Sequence, residues 1–355
     1  MQVVDRDTEK IVATLNHSLP NVPKEAVKAI VLTSDLIVSL TAGGNLFVWD
    51  RSTFGLLTSE RNAHPDPHAE LEACRSTIIL NSDYRIGVAC RIWKVCQLPG
   101  SKGLSSLKLI GSFKRPRGLP SRVVIDEHRM GLVGEDSRPL ANMVEEHPNN
   151  AEMDREESTK PIDYQSPAYF HFMSHDLQPK EILNTGTKAV HFNLDKCFAL
   201  NGSLFAMAGN DASSEQVAEE EVFVRSNNIR IWDITTGNVI REIVTDKVPL
   251  TGNHDCQQFS MCIQLFLKNN FLYMNKIGMT IANKSPCLSQ ELQWCSINTS
   301  KDATGRSTLE PMRTLTLEPS SEGAGSRKGR VAIDETSIVH VGDMGDVVTT
   351  YQFWV

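Results

Sequence analysis

The chain has 355 residues, 40 % of them hydrophobic and 22 % charged, a composition that can fill a sizeable core and excludes global disorder. Its formal net charge of −7 argues against a nucleic-acid footprint, which needs a basic face. No stretch approaches roughly 18 uninterrupted apolar residues, so no membrane-spanning segment is expected.

The opening MQVVDRDTEKIV is polar and mixed, without the apolar core of a secretory leader. From Lys28 to Leu57 the chain reads as a strand (Ile30–Leu32), a turn (Thr33-Ser34-Asp35), a strand (Leu36–Leu40), a glycine turn, a strand (Leu46–Trp49), a turn and a strand (Phe54–Leu57). Its first half recurs. Ile78–Cys90 turns at Asn81-Ser82-Asp83, Val123–Val133 at Asp126-Glu127-His128, and Phe198–Ala208 at Asn201-Gly202-Ser203. Leu265–Asn275 turns at Lys268-Asn269-Asn270, and Val331–Val341 at Asp334-Glu335-Thr336. An apolar triplet, a polar turn and a second apolar run form a strand-turn-strand signal. Successive units lie at least one propeller blade apart, a blade taking roughly 40 to 45 residues.

Third strands are expected at Leu46–Trp49, Val88–Trp93, Tyr169–Met173, Ile229–Trp232, Leu292–Cys295 and Val347–Phe353. Fourth strands fit Phe54–Leu57, Leu107–Ile110, Glu181–Leu183, Val239–Ile243 and Met312–Leu317. The sixth set lacks a fourth strand downstream, and Ile11–Leu15, from the other end of the chain, fits that place. Joining the termini in one blade would remove exposed sheet edges. The expectation is an all-β propeller of six or seven four-stranded blades, one domain over 1–355, with loop insertions at about 135–166, 210–226, 298–311 and 318–330. The hairpin Ser226–Ile243 cannot bury its faces alone; it must lean on its own blade and on the neighbouring ones.

The residues Asn228-Ile-Arg-Ile-Trp-Asp-Ile-Thr-Thr-Gly resemble the third-strand signature of the WD-repeat family, whose fold is a β-propeller. Asn45-Leu-Phe-Val-Trp-Asp matches it again and Arg91-Ile-Trp-Lys in part. Asn16-His17, Ala63-His64 and Asn253-His254 imitate the family's Gly-His dipeptide without the glycine. The resemblance implies a polar brace of His, Ser or Thr, a tight-turn Asp and Trp. In the first blade His17, Ser39 and Trp49 fit, but Gly43 stands at the Asp position. The segments VAIDETSIVHVGDMGDV and AIVLTSDLIVSLTAGGNLFVWD are also similar to the propellers of F-box/WD-repeat proteins, which carry substrates to a ubiquitin ligase. The helical F-box segment itself is not seen ahead of the first strand, and an upstream F-box or blade lost by truncation is an alternative.

Eight cysteines contain no Cys-x-x-Cys pair, so neither a zinc ribbon nor a redox motif is supported, and a reducing setting in cytoplasm or nucleus is expected. His64-Pro65-Asp66-Pro67-His68 is expected to be an extended inter-blade loop with side chains splayed outward, and His171 and His175 a solvated strand edge. There is no G-x-S-x-G elbow, Walker loop or G-x-G-x-x-G. The tryptophans at 49, 93, 232, 294 and 354 are expected to fill blade cores. No catalytic residue, cofactor or metal site is expected. Lys114-Arg115-Pro116-Arg117 reads as a solvated loop. Arg122 and Arg330 stand one residue before a first-strand triplet, with Lys28 and Lys188 one or more positions earlier; together they form a candidate basic rim for an acidic or phosphorylated peptide. A non-catalytic protein-interaction scaffold follows, in one form a substrate-recognition subunit of a ubiquitin ligase. The competing class is a propeller-fold enzyme with its site at a central channel.

Overall fold

The computed structural model describes residues 1–4, 8, 10–17, 25–82, 88–97, 105–114, 122–134, 137, 140, 167–188, 198–217, 220–250, 258–268, 270–282, 285–297, 300–301, 307–308, 313–317, 330–333, 337–341 and 348–352. Every regular element among them is a strand, and the chain divides into two compact units, Met1–Val190 and His191–Val355.

The first unit opens with β1 (Gln2–Val4) paired antiparallel to β2 (Ile11–Thr14). Three antiparallel four-stranded sheets follow, each in simple sequence order. Blade 1 is β3 (Val27–Leu32), β4 (Leu36–Thr41), β5 (Leu46–Asp50) and β6 (Leu56–Glu60). Blade 2 is β7 (Glu70–Cys74), β8 (Thr77–Asn81), β9 (Val88–Gln97) and β10 (Ser105–Lys114). Blade 3 is β11 (Val123–Ile125), β12 (Met130–Gly134), β13 (Pro167–Met173) and β14 (Pro179–Lys188).

Alternating side chains give each sheet two apolar faces, and the sheets stack through them. Val38, Leu40, Leu46 and Val48 of blade 1 pack on Leu71, Ile78, Leu80 and Trp93 of blade 2. The opposite face of blade 2, Ile79, Cys90 and Ile92, packs on Met130, Leu132 and Met173 of blade 3. The first strands β3, β7 and β11 touch in series, as do the fourth strands β6 and β10, which is the radial arrangement of propeller blades. Full burial of one such Leu, Ile or Val contributes about 1.5–3 kcal/mol.

The second unit repeats the plan. Blade 4 is β15 (Phe198–Asn201), β16 (Leu204–Val217), β17 (Glu220–Asp233) and β18 (Asn238–Leu250). Blade 5 is β19 (Gln258–Lys268), β20 (Phe271–Ala282), β21 (Ser285–Ser296) and β24 (Arg313–Leu317), with the short pair β22 (Ser300–Lys301) and β23 (Ser307–Thr308) inserted before its last strand. A three-stranded sheet of β25 (Arg330–Ile333), β26 (Ser337–Val341) and β27 (Val348–Gln352) ends the chain. Ile229, Ile231 and Ile243 pack on Leu265, Leu272 and Met274, and Leu292 and Leu317 on Val331 and Ile338. The hairpin Ser226–Ile243 therefore leans on β16 and on blade 5.

Four expectations change. Among the described residues there are five four-stranded blades and one three-stranded sheet, not six or seven complete blades. Ile11–Thr14 pairs with Gln2–Val4 instead of supplying a fourth strand to the last sheet. Residues 210–217 and 220–226 continue β16 and β17 as one long hairpin, Val217 facing Glu220, instead of a loop. Blade 2 begins at Glu70: Ile78–Leu80 is a second strand, because the chain reverses at Arg75-Ser76, where Arg75 has φ 53°. The proposed insertions 141–166 and 318–329 and the basic segment 115–117 lie outside the described residues.

Candidate interaction surface and the residues that hold it

At one end of blades 1 and 2 three chain segments meet: the residues before β3, the turn Ala42–Asn45, and the connection 61–69. His17 is 8 % exposed; its Nε2 lies 2.9 Å from the Ser39 hydroxyl, and its ring meets the edge of Trp49 with centroids 4.7 Å apart. Burial pushes its pKa below the ordinary histidine value, keeping the ring neutral. The expected His17, Ser39 and Trp49 therefore do converge.

The missing aspartate of this brace is replaced from outside the motif. The Glu25 carboxylate accepts hydrogen bonds from the Thr41 hydroxyl, from the Gly43 amide at 3.2 Å and from the Asn45 side-chain amide at 2.9 Å. It lies directly over Gly43, where a Cβ would sit 2.1 Å from Oε1. Glycine at 43 makes room for the acid that does the turn's work. Sequence reasoning missed Glu25 because it precedes the strand and has no fixed place in the signature.

The connection 61–69 is held from both sides. The Ala63 amide donates to the Gly44 carbonyl at 3.0 Å, the Asn62 amide to Asn45 Oδ1 at 3.3 Å, and Trp93 Nε1 to the Ala63 carbonyl at 3.2 Å. Contrary to the splayed loop expected, His64 is 3 % exposed, and its Nδ1 accepts the Asp66 amide at 3.0 Å. Desolvation, reinforced by Arg91, lowers its pKa. The Asp66 carboxylate accepts from the Ser82 hydroxyl and, at 2.8 Å, from the His68 amide. Desolvation, the largest single effect, raises its pKa, but these two donors and the nearby His68 and His64 outweigh it and hold the pKa down. Arg61, Asn62, Pro65, Pro67 and His68 stay exposed on this fixed backbone.

The four cations of the expected rim belong to four different strands or strand entries. Lys28, on β3, donates Nζ to the Pro67 carbonyl at 3.1 Å and the Ala69 carbonyl at 3.0 Å, so its ammonium clamps blade 1 to the 61–69 connection. Arg122 enters β11, its carbonyl accepting the Val133 amide at 3.2 Å. Lys188 ends the fourth strand β14, opposite Pro167, instead of leading into a first strand. Arg330 opens β25 opposite Val341 in the other unit.

His171 and His175 are likewise not a solvated edge. His171 is 3 % exposed and packs against Gly134, where a Cβ would meet its ring at 2.1 Å. His175 Nδ1 lies 2.8 Å from the Thr77 hydroxyl and its Nε2 2.9 Å from the Asp126 carbonyl. Trp49 and Trp232 are both 2 % exposed and Trp93 7 %, as core residues should be; Trp354 and Asn253-His254 lie outside the described residues.

Serial four-stranded blades stacked through both faces define a repeat protein of the β-propeller class. No family model and no curated protein sequence matches the chain. Solved structures similar to it include hydrazine synthase of Kuenenia stuttgartiensis, at 12 % identity over 99 % of this chain and 89 % of that one, with a TM-score of 0.46. The WD40 domain of Toxoplasma gondii coronin is similar at 10 % identity over 91 % and 66 %, TM-score 0.43. The RRP9 WD40 repeats are similar at 14 % over 77 % and 65 %, TM-score 0.37. The propeller assignment rests on this chain's own strand pairing and blade stacking.

Proposed function

We propose that the chain is a protein-interaction scaffold: one WD-repeat-like propeller domain over 1–355 that binds other proteins in the cytoplasm or nucleus without catalysing a reaction. One observation carries it. The 61–69 connection is locked by backbone and side-chain hydrogen bonds to blades 1 and 2, yet presents Arg61, Asn62, Pro65, Pro67 and His68 outward. A preorganised loop loses little entropy when a partner docks, and that favours binding.

An acidic or phosphorylated peptide is the finer partner class, with Arg61 as the basic side chain of this surface. Affinity purification of the wild type and of an Arg61→Ala/His68→Ala variant tests both levels. Partners recovered with the wild type and depleted by the variant support this surface. An unchanged partner set removes it. The ubiquitin-ligase form adds one requirement: ligase adaptor subunits among the recovered proteins, without which that form is dropped.

A further inference from the structure

We propose that His175 is a proton-sensitive latch between blades 2 and 3. The turn that carries it is closed by three hydrogen bonds. The Ser174 amide donates to the Gln178 carbonyl at 3.0 Å, the Leu177 amide to the Ser174 carbonyl at 2.9 Å, and the Gln178 amide to the Ser174 hydroxyl at 3.1 Å. From that turn one imidazole reaches two different sheets: Thr77 at the start of β8, and the carbonyl of Asp126 in the β11–β12 turn.

The partners fix the proton. A carbonyl only accepts, so Nε2 carries the hydrogen, and neutral Nδ1 takes the hydrogen of the Thr77 hydroxyl. Thr77 is 1 % exposed. A second proton, on Nδ1, would turn that hydroxyl into an acceptor and leave its own hydrogen buried, at the cost of an unmade hydrogen bond. The titratable and charged groups around it come from four elements. Cys74 and Arg75 lie at the β7–β8 turn, Lys94 on β9, Asp126, Glu127 and His128 in the β11–β12 turn, and Asp176 beside His175 itself. Most are engaged: Arg75 pairs with Glu127 at 3.5 Å, Lys94 with Asp176, and the Asp126 carboxylate accepts the His128 and Arg129 amides at 2.7 and 2.8 Å. Burial is the main force that depresses the His175 pKa; Arg75 and Lys94 add to it, and Asp126 opposes it.

The sign follows from linkage. The unfolded chain takes up the proton near the ordinary histidine value and the folded chain only at lower pH. Stability is therefore complete above about pH 6.5 and falls as pH drops through that value toward the folded midpoint. Acidification weakens the junction of blades 2 and 3.

The test follows the His175 ring by NMR during a pH titration of the full chain. It also compares melting temperatures at about pH 7 and about pH 5 for the wild type and His175→Gln, whose amide can accept from Thr77 and donate to Asp126 without titrating. His17 and His64 titrate alike in both proteins, so the difference isolates His175. The latch predicts a midpoint below that of a free histidine and a wild-type loss larger than the variant's by about 2 °C or more. Equal losses, or a midpoint at the free-histidine value, overturn it. Should the variant fail to fold, the wild-type midpoint alone decides.

Discussion

The Trp-Asp turns of blade 1 and blade 4 share a hydrogen-bond pattern and differ most in the residue that closes it. Asp50 Oδ1 accepts the Ser52 amide at 2.9 Å and its hydroxyl at 2.6 Å; Asp233 Oδ1 accepts the Thr235 amide at 2.9 Å and its hydroxyl at 2.6 Å. In each the residue four positions on donates its amide to the aspartate carbonyl and takes a positive φ. That residue is Gly237 in blade 4, at φ 70°, with open space around it, and Phe54 in blade 1, at φ 57°. Phe54 packs against the cluster of Leu15, Ile37, Phe47 and Trp49, which Met1 and Val3 also touch. One turn follows local preference; the other holds a bulky residue in a left-handed conformation because that apolar cluster gives its ring a place to pack.

The largest test of this comparison is removal of the two tryptophans. Trp49→Ala and Trp232→Ala are each expected to lower unfolding stability by about 3–5 kcal/mol, read by chemical denaturation. A cost below about 1 kcal/mol at either position would mean that its blade is not packed as described. Next in size is Gly237→Ala, expected to cost about 1–2 kcal/mol through its left-handed φ, since an added methyl group meets nothing. Phe54→Gly relieves the same strain but loses apolar contact, and a net change of less than about 1 kcal/mol is expected. A loss as large as that of Trp49→Ala would show that packing alone governs the blade 1 turn.

Smallest is the acid titration of the two aspartates. Ser52 and Thr53 donors hold Asp50 down to about 2, and Thr235 donors lower Asp233 as well. A depressed carboxylate stabilises above its unfolded pKa, and that contribution disappears as pH falls toward the folded midpoint. NMR titration should place the Asp50 midpoint near 2, with Asp50→Asn flattening the decline of stability below about pH 4. An ordinary Asp50 midpoint would mean the turn's donors are not engaged in solution.

Much of the strand order was legible from the sequence, because apolar triplets flanking Asp, Asn and Gly turns leave few alternatives. The first strands of blades 1, 3, 4 and 5 contain the apolar triplets that the pattern assigns to them, although that of blade 5 begins seven residues earlier, at Gln258. Blade 2 departs from it: the reversal after Asn81 joins its second and third strands, while the true first strand, Glu70–Cys74, carries two glutamates and reverses through Arg75. Phe54 misled in the same way, placing the fourth strand of blade 1 too early, since no local preference puts phenylalanine at positive φ. His17, Ser39 and Trp49 were found because the motif spaces them. Glu25 and His175 were not, because each acts on residues distant in the chain. The carbonyl partners of Lys28 were out of sight for a related reason: a lysine's sequence position says nothing about the carbonyls within its reach.

The pairing of Glu25 with Gly43 bears on how this chain can evolve. An aspartate at 43 would set a second carboxylate against the resident one, so Glu25 would have to give up the turn for the new acid to take it. Relatives descended from this lineage should show the two positions changing in concert, acid moving from one to the other, and a lone replacement at either should be rare.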